Sequence, residues 1–105
     1  MSSETAPVQA PVQAAVLLTI ISETVLKDRI IQLLKGNSVS GYTISQVQGE
    51  GGHGKRLGDI AGYNTNIEIK TLVSPEVSDA ILLAIKKNHG EHALIAFRQN
   101  VEALY

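Results

Sequence analysis

The stretch Gly49–Asn64, GEGGHGKRLGDIAGYN, holds six of the chain's nine glycines, together with His53 and the adjacent cations Lys55 and Arg56. Glycine has no Cβ, so a glycine-dense run lets backbone N–H groups turn toward an anion and approach it closely. Neighbouring cations add long-range attraction. The composition predicts a loop that seeks phosphate. Two nucleotide-binding patterns nearly fit. Gly49, Gly51 and Gly54 match G-x-G-x-x-G; Gly49, Gly54 and Lys55 match the start of a P-loop, with Arg56 where a Ser or Thr should hold Mg²⁺. Both patterns need a helix to begin at the loop's end. Gly58 and Gly62 follow instead, and then Asn66–Val73, which alternates as a strand does. The loop therefore joins strand to strand, which removes both patterns and decides the fold. A ligand-free hairpin connection is the plain alternative, although a structureless loop of about sixteen residues is uncommon in a compact domain.

Upstream of the loop, Tyr42–Gln48 reads as a strand through its β-branched Thr43, Ile44 and Val47. Its polar Ser45, Gln46 and Gln48 place it at an edge or beside a site. A turn at 37–41 precedes it. Before that turn, Leu26, Ile30, Leu33 and Leu34 recur at helical spacing, with Ile31 widening the stripe. Ser22 and Glu23 suit the entry of this helix, and Lys35-Gly36 its end. Ala14–Ile21, AAVLLTII, is apolar on both faces, the mark of a strand buried on two sides. Residues 1–13 repeat Ala-Pro-Val-Gln and hold few large apolar side chains, so they read as a disordered tail on a single domain spanning 14–105.

Downstream, Ile67, Ile69 and Thr71 share one face of Asn66–Val73; Glu68 and Lys70 read as a solvated face, with the lining of a cleft as the lesser alternative. Ser74-Pro75-Glu76 starts a helix with an N-cap, a first-turn proline and an acid. Val77, Ala80, Ile81, Ala84 and Ile85 form its expected buried stripe; Lys86, Lys87 and His89 suit its negative end, and Gly90 stops it. Ala93–Phe97 is a last apolar strand, closed by Arg98-Gln99-Asn100 and followed by a short segment to Tyr105. The order β-α-β-β-α-β predicts an α+β, ferredoxin-like sandwich with both helices on one face of the sheet. The other face would leave the apolar first and last strands uncovered, so a homo-oligomer with its sheets packed inward is expected.

Composition narrows the chemistry. The 105 residues carry a formal charge of −1 and no cysteine. Global attraction to nucleic acid or acidic lipid, disulfides, thiolate catalysis and Cys-based zinc sites are therefore excluded. No apolar run is long enough to span a bilayer, and the run at Ala14–Ile21 lacks the flanks of a signal peptide, so the expected compartment is the cytoplasm. His89 and His92 are separated by Gly90, and with His53 they make no convincing metal set.

Asn37–Ile44, Gly49-Glu50-Gly51, Ile67-Glu68-Ile69 and Ser74-Pro75-Glu76 together resemble the PII signal-transduction superfamily in order and spacing. The resemblance covers nearly all of residues 14–105 and makes 49–64 the T-loop. The ending ALIAF…VEALY is most similar to the PII-like proteins of inorganic carbon metabolism: the carboxysome-associated PII-like protein first, then the PII-like regulator of the bicarbonate transporter. The chain departs from the wider superfamily in three ways. Its loop is shorter, its turn before the last strand is reduced to Asn88-His89-Gly90-Glu91-His92, and only Arg98 stands where a pair of arginines is usual. The transporter regulator's C-terminal cysteine pair has no counterpart, so activity tied to that element is expected to be absent.

The resemblance implies a homotrimer of ferredoxin-like subunits that binds ADP or AMP in clefts between subunits, without metal or resident cofactor, and reports occupancy through the T-loop. It puts Ile20 and Thr43 on the adenine side, the Gly49 and Gly51 backbone at phosphate, and Gly90, Glu91 and His92 over the nucleotide. Arg98, from the same chain or a neighbour, would contact phosphate or ribose. The carboxysome-associated relative also binds bicarbonate; charge alone assigns Gly52, His53, Lys55 and Arg56 to phosphate or this second anion. The implied role is regulation by binding, not catalysis, with a bicarbonate transporter or a carboxysome-associated protein downstream and no nucleic acid. The alternative is a slow nucleotide phosphohydrolase, which needs a metal-holding group and a positioned base. Glu50 and Asp59 are candidates, but the P-loop hydroxyl is missing. An RNA-binding sheet needs exposed aromatics, and one Phe, three Tyr and no Trp count against it.

Overall fold

The computed structural model describes residues 8–48, 66–89 and 93–105. The described elements are β1 (Gln13–Glu23), a 3-10 turn (Thr24–Leu26), α1 (Lys27–Gly36), β2 (Thr43–Val47), β3 (Asn66–Val73), α2 (Pro75–His89) and β4 (Leu94–Ala103). The strands form one sheet in the order β2-β3-β1-β4. Every neighbouring pair is antiparallel. This is the expected ferredoxin-like βαββαβ arrangement.

Register explains which side chains meet the helices. Ile20 pairs with Ile69 and Ala96, and Leu18 pairs with Thr71 and Arg98. Paired residues share a face, so Leu18, Ile20, Ile67 and Ile69 project together. They form one buried cluster with Leu26, Ile30 and Leu34 from the first helical segment and Ile81 and Ile85 from α2. Burying each such aliphatic side chain stabilises the fold by about 1.5–3 kcal/mol relative to exposure. β1 is the central strand that its two-sided apolarity predicts. The alternation of β3 also holds: Ile67, Ile69 and Thr71 are buried while Lys70 is exposed.

Three local expectations are corrected. Glu23 directly precedes the first helical segment, as expected, but neither it nor Ser22 caps that segment with its side chain. They are the last residues of β1, where Ser22 pairs with Ile67 and Leu94, and the Ser22 hydroxyl donates to the Glu23 carbonyl at 3.0 Å. Ladder pairing on both sides outweighs the local capping signal. The first helix ends at Gly36, as expected, and Gly36 is the final residue of α1. The left-handed position belongs to Ser38, at φ 68°. The Val39 N–H donates to the Leu34 carbonyl and the Ser38 N–H to the Lys35 carbonyl, a Schellman closure.

In α2 the Ser74 cap is present, with the Val77 N–H donating to Ser74 Oγ at 3.2 Å. The buried stripe, however, is rotated: Ala80 is exposed and Ser78 is fully buried. Ser78 can be buried because its hydroxyl donates to the Pro75 carbonyl at 2.8 Å and accepts from Arg98. Finally, Arg98-Gln99-Asn100 does not close the last strand. β4 continues to Ala103, because the eleven-residue β1 offers backbone partners along that length. An edge strand needs those partners more than it needs apolar side chains.

Candidate functional site

The α1–β2 connection, the end of β3 and the start of α2 enclose a cleft of about 720 Å³. Its floor includes Leu17 and Leu72, which pair across the sheet on the side away from the helices. One wall is the connection 38–43, and Tyr105 also lines it. The connection is tied down by the Thr71 hydroxyl, which donates to the Gly41 carbonyl at 2.6 Å. Lys70 is the one cationic side chain of the lining, which includes no Asp or Glu among the described residues. Lys70 lies 3.4 Å from Glu68 in a partly exposed pair, so it remains available to an anion at small cost. The volume falls in the range of small-molecule sites, and apolar walls with a few hydroxyls and one cation suit binding more than proton transfer.

Of the anticipated nucleotide residues, the structure brings Thr43 into this cleft. Ile20 lies in the core on the helix side, 1% exposed, so it can support the sheet beneath a ligand but does not line the cleft. Arg98 sits on β4, at the opposite sheet edge from Thr43, with β3 and β1 between them. Three strand spacings amount to about 14 Å. Arg98 also projects to the helix side, where its Nη1 donates to Ser78 Oγ at 2.7 Å and pairs with Asp79 at 2.5 Å. One chain therefore does not unite Thr43 with Arg98. Gly49, Gly51, Gly52, His53, Lys55, Arg56, Gly90, Glu91 and His92 lie outside the described residues, as do Glu50 and Asp59.

Lys70 lines the cleft, the less favoured of the two placements that the sequence offers for it. One feature escaped the sequence reading. At the other end of the sheet, Asn66 and Thr24 are polar groups without partners among the described residues: Asn66 is 2% exposed, and neither its carboxamide nor the Thr24 hydroxyl is hydrogen-bonded there. Asparagine opening an otherwise apolar strand is the signal that could have marked this spot, because it is disfavoured in strands. Among the described residues no cluster of three metal-binding side chains occurs, and no helix is long and apolar enough to cross a membrane.

A four-stranded antiparallel sheet with helices on one face defines a ferredoxin-like fold, and a ligand-sized cleft lies at its β2–β3 edge. Residues 15–104 match the family model for nitrogen regulatory protein P-II, and the chain belongs to that family. Among solved structures, a protein from Thermus thermophilus described as a PII-like signaling protein is 30% identical; the match covers 90% of this chain and 94% of that one, with a TM-score of 0.75. CPII from Thiomonas intermedia, bound to ADP and bicarbonate, is 26% identical over 88% of this chain and 90% of its own, with a TM-score of 0.74. CPII bound to ADP, AMP and bicarbonate is 25% identical over 90% of this chain and 100% of its own, with a TM-score of 0.77. No curated protein matches the chain in sequence.

Proposed function

We propose that this chain is a cytoplasmic PII-like regulator of inorganic carbon metabolism that acts by binding ADP or AMP and bicarbonate. It works as a homotrimer, with each nucleotide held between two copies. Thr43 meets the adenine side, and the Gly49 and Gly51 backbone meets phosphate. Gly90, Glu91 and His92 cover the nucleotide, Arg98 of an adjacent copy contacts it, and Ile20 supports the sheet beneath it. Gly52, His53, Lys55 and Arg56 neutralise phosphate or the second anion, and order in the 49–64 loop carries the signal to a transporter or a carboxysome-associated protein. The observation that carries this reading is the likeness to CPII, whose structures hold ADP, AMP and bicarbonate. Thr43 and Arg98 stand on opposite edges of one sheet, so a nucleotide that meets both is shared between copies.

Two anions repel unless donors and cations satisfy both, so the ligands are expected to favour each other reciprocally. Calorimetric titration of ADP with and without bicarbonate, and of bicarbonate with and without ADP, tests this. The expected result is tighter binding of each in the presence of the other. Equal affinities in both conditions remove the bicarbonate half of the reading, and no ADP or AMP binding removes all of it. Release of phosphate from ADP at a steady rate would favour the phosphohydrolase alternative.

A further inference from the structure

We propose that Tyr105 is the nucleobase-stacking residue of this site, an assignment that rests on the nucleotide-binding reading above. Two tyrosines line the cleft, Tyr42 and Tyr105. They are not equivalent. Tyr42 is half-buried and packs against the core cluster, so its ring is already committed. Tyr105 is 73% exposed, beyond the end of β4. A large aromatic ring left that open at the rim of an apolar cleft has an unused face.

The rest of the lining fits a base beneath that face. Leu17 and Leu72 supply an apolar floor, Leu72 being 46% exposed. The Thr43 hydroxyl and the peptide groups of 38–43 supply donors and acceptors for the edge of a heterocycle. Lys70 supplies a positive charge for the phosphate end. A flat, weakly polar ring with hydrogen-bonding edges and an anionic tail uses all of these groups at once. A purely apolar ligand would leave the lysine and the hydroxyls unused, and an inorganic anion would leave the leucines unused. Stacking on an aromatic side chain contributes through the π-face of the base, so it acts equally on ADP and AMP, which share a base and differ in phosphate.

The test is titration of ADP and AMP into the full chain and its Tyr105→Ala and Tyr105→Phe variants, with thermal melting of each free protein. Tyr105→Ala is expected to weaken ADP and AMP by the same factor, roughly 5- to 100-fold. Tyr105→Phe, which keeps the ring, should stay within about twofold. The melting point of the free protein should not move, because the residue is exposed. Wild-type affinity in Tyr105→Ala overturns the assignment, as does equal loss in Tyr105→Phe, which would make the hydroxyl rather than the ring responsible. If the wild-type chain binds ADP while both variants behave as wild type, this inference alone fails; if the wild-type chain binds neither nucleotide, the functional reading fails and takes the inference with it.

Discussion

Ser38 holds a backbone conformation for which its side chain is poorly suited. At φ 68° it occupies the left-handed position of the helix closure that follows α1, a place where glycine is usual. An L-residue there carries a penalty of about 1–2 kcal/mol, partly offset by the lower chain entropy of serine relative to glycine in the unfolded state. Ser38→Gly is therefore expected to stabilise the chain by about 0.5–1 kcal/mol. The denaturation midpoint should rise in urea with the slope unchanged; an unchanged or lower midpoint would refute the account. Gly36, two residues earlier, is the residue that composition alone favours for this role. The difference lies in where Val39 goes. It is 7% exposed, packed in the core with Leu34, and its N–H closes on the Leu34 carbonyl, so the closure is centred on the buried valine rather than on the nearest glycine. Composition shows that a helix ends near 36. The burial of a single valine at position 39 sets the residue on which the reversal falls.

At the scale of elements, β3 was legible in full and β1 in all but its ends, because their periods are strong and both flanking strands reinforce them. α2 was legible in extent but not in rotation. Its sequence supports a stripe through Ala80 or one through Ser78, and helical periodicity alone does not favour a serine. Tertiary context decides: Arg98, reaching across from β4, gives the buried Ser78 hydroxyl a partner, and Ala80 turns outward. The candidate site was less legible for a related reason, since Tyr105 and Lys70 enter the cleft only once the sheet order brings the end of the chain and β3 beside the 38–43 connection. The orientation of α2 has a direct test. Ala80→Glu, on the exposed face, is expected to change stability by no more than about 0.5 kcal/mol. Ile81→Ala, at a position fully removed from solvent, should cost about 2–5 kcal/mol. Chemical denaturation of both variants separates the two rotations; severe destabilisation by Ala80→Glu would place that face inward after all.

The molecule as a whole has one sheet face paired with helices and one without. On the face away from the helices, Ile95 and Phe97 are 51% and 43% exposed. Ile95 pairs with Ile21 and Phe97 with Thr19 on β1, so the two exposed apolar side chains stand together on that face. Soluble monomers seldom carry such a patch without a use for it. Among the described strands β2 and β4 are the sheet's edges, with Thr43 on one and Arg98 on the other. A closed ring of three copies would cover the patch and bring β2 of one copy toward β4 of the next, so assembly and ligand binding are expected to be inseparable. Phe97→Asp puts a charge in the middle of the patch, on the side away from the helix-facing core. Sedimentation velocity is expected to show a trimer for the wild-type chain and a monomer for Phe97→Asp, with the far-ultraviolet circular dichroism of the two alike. The monomer should also lose ADP binding, because each site then lacks the edge that its neighbour supplies. A wild-type chain that sediments as a monomer removes the trimer. A monomeric variant that still binds ADP at wild-type affinity removes the shared site, and would mean that the cleft beside Tyr105 is complete within one chain.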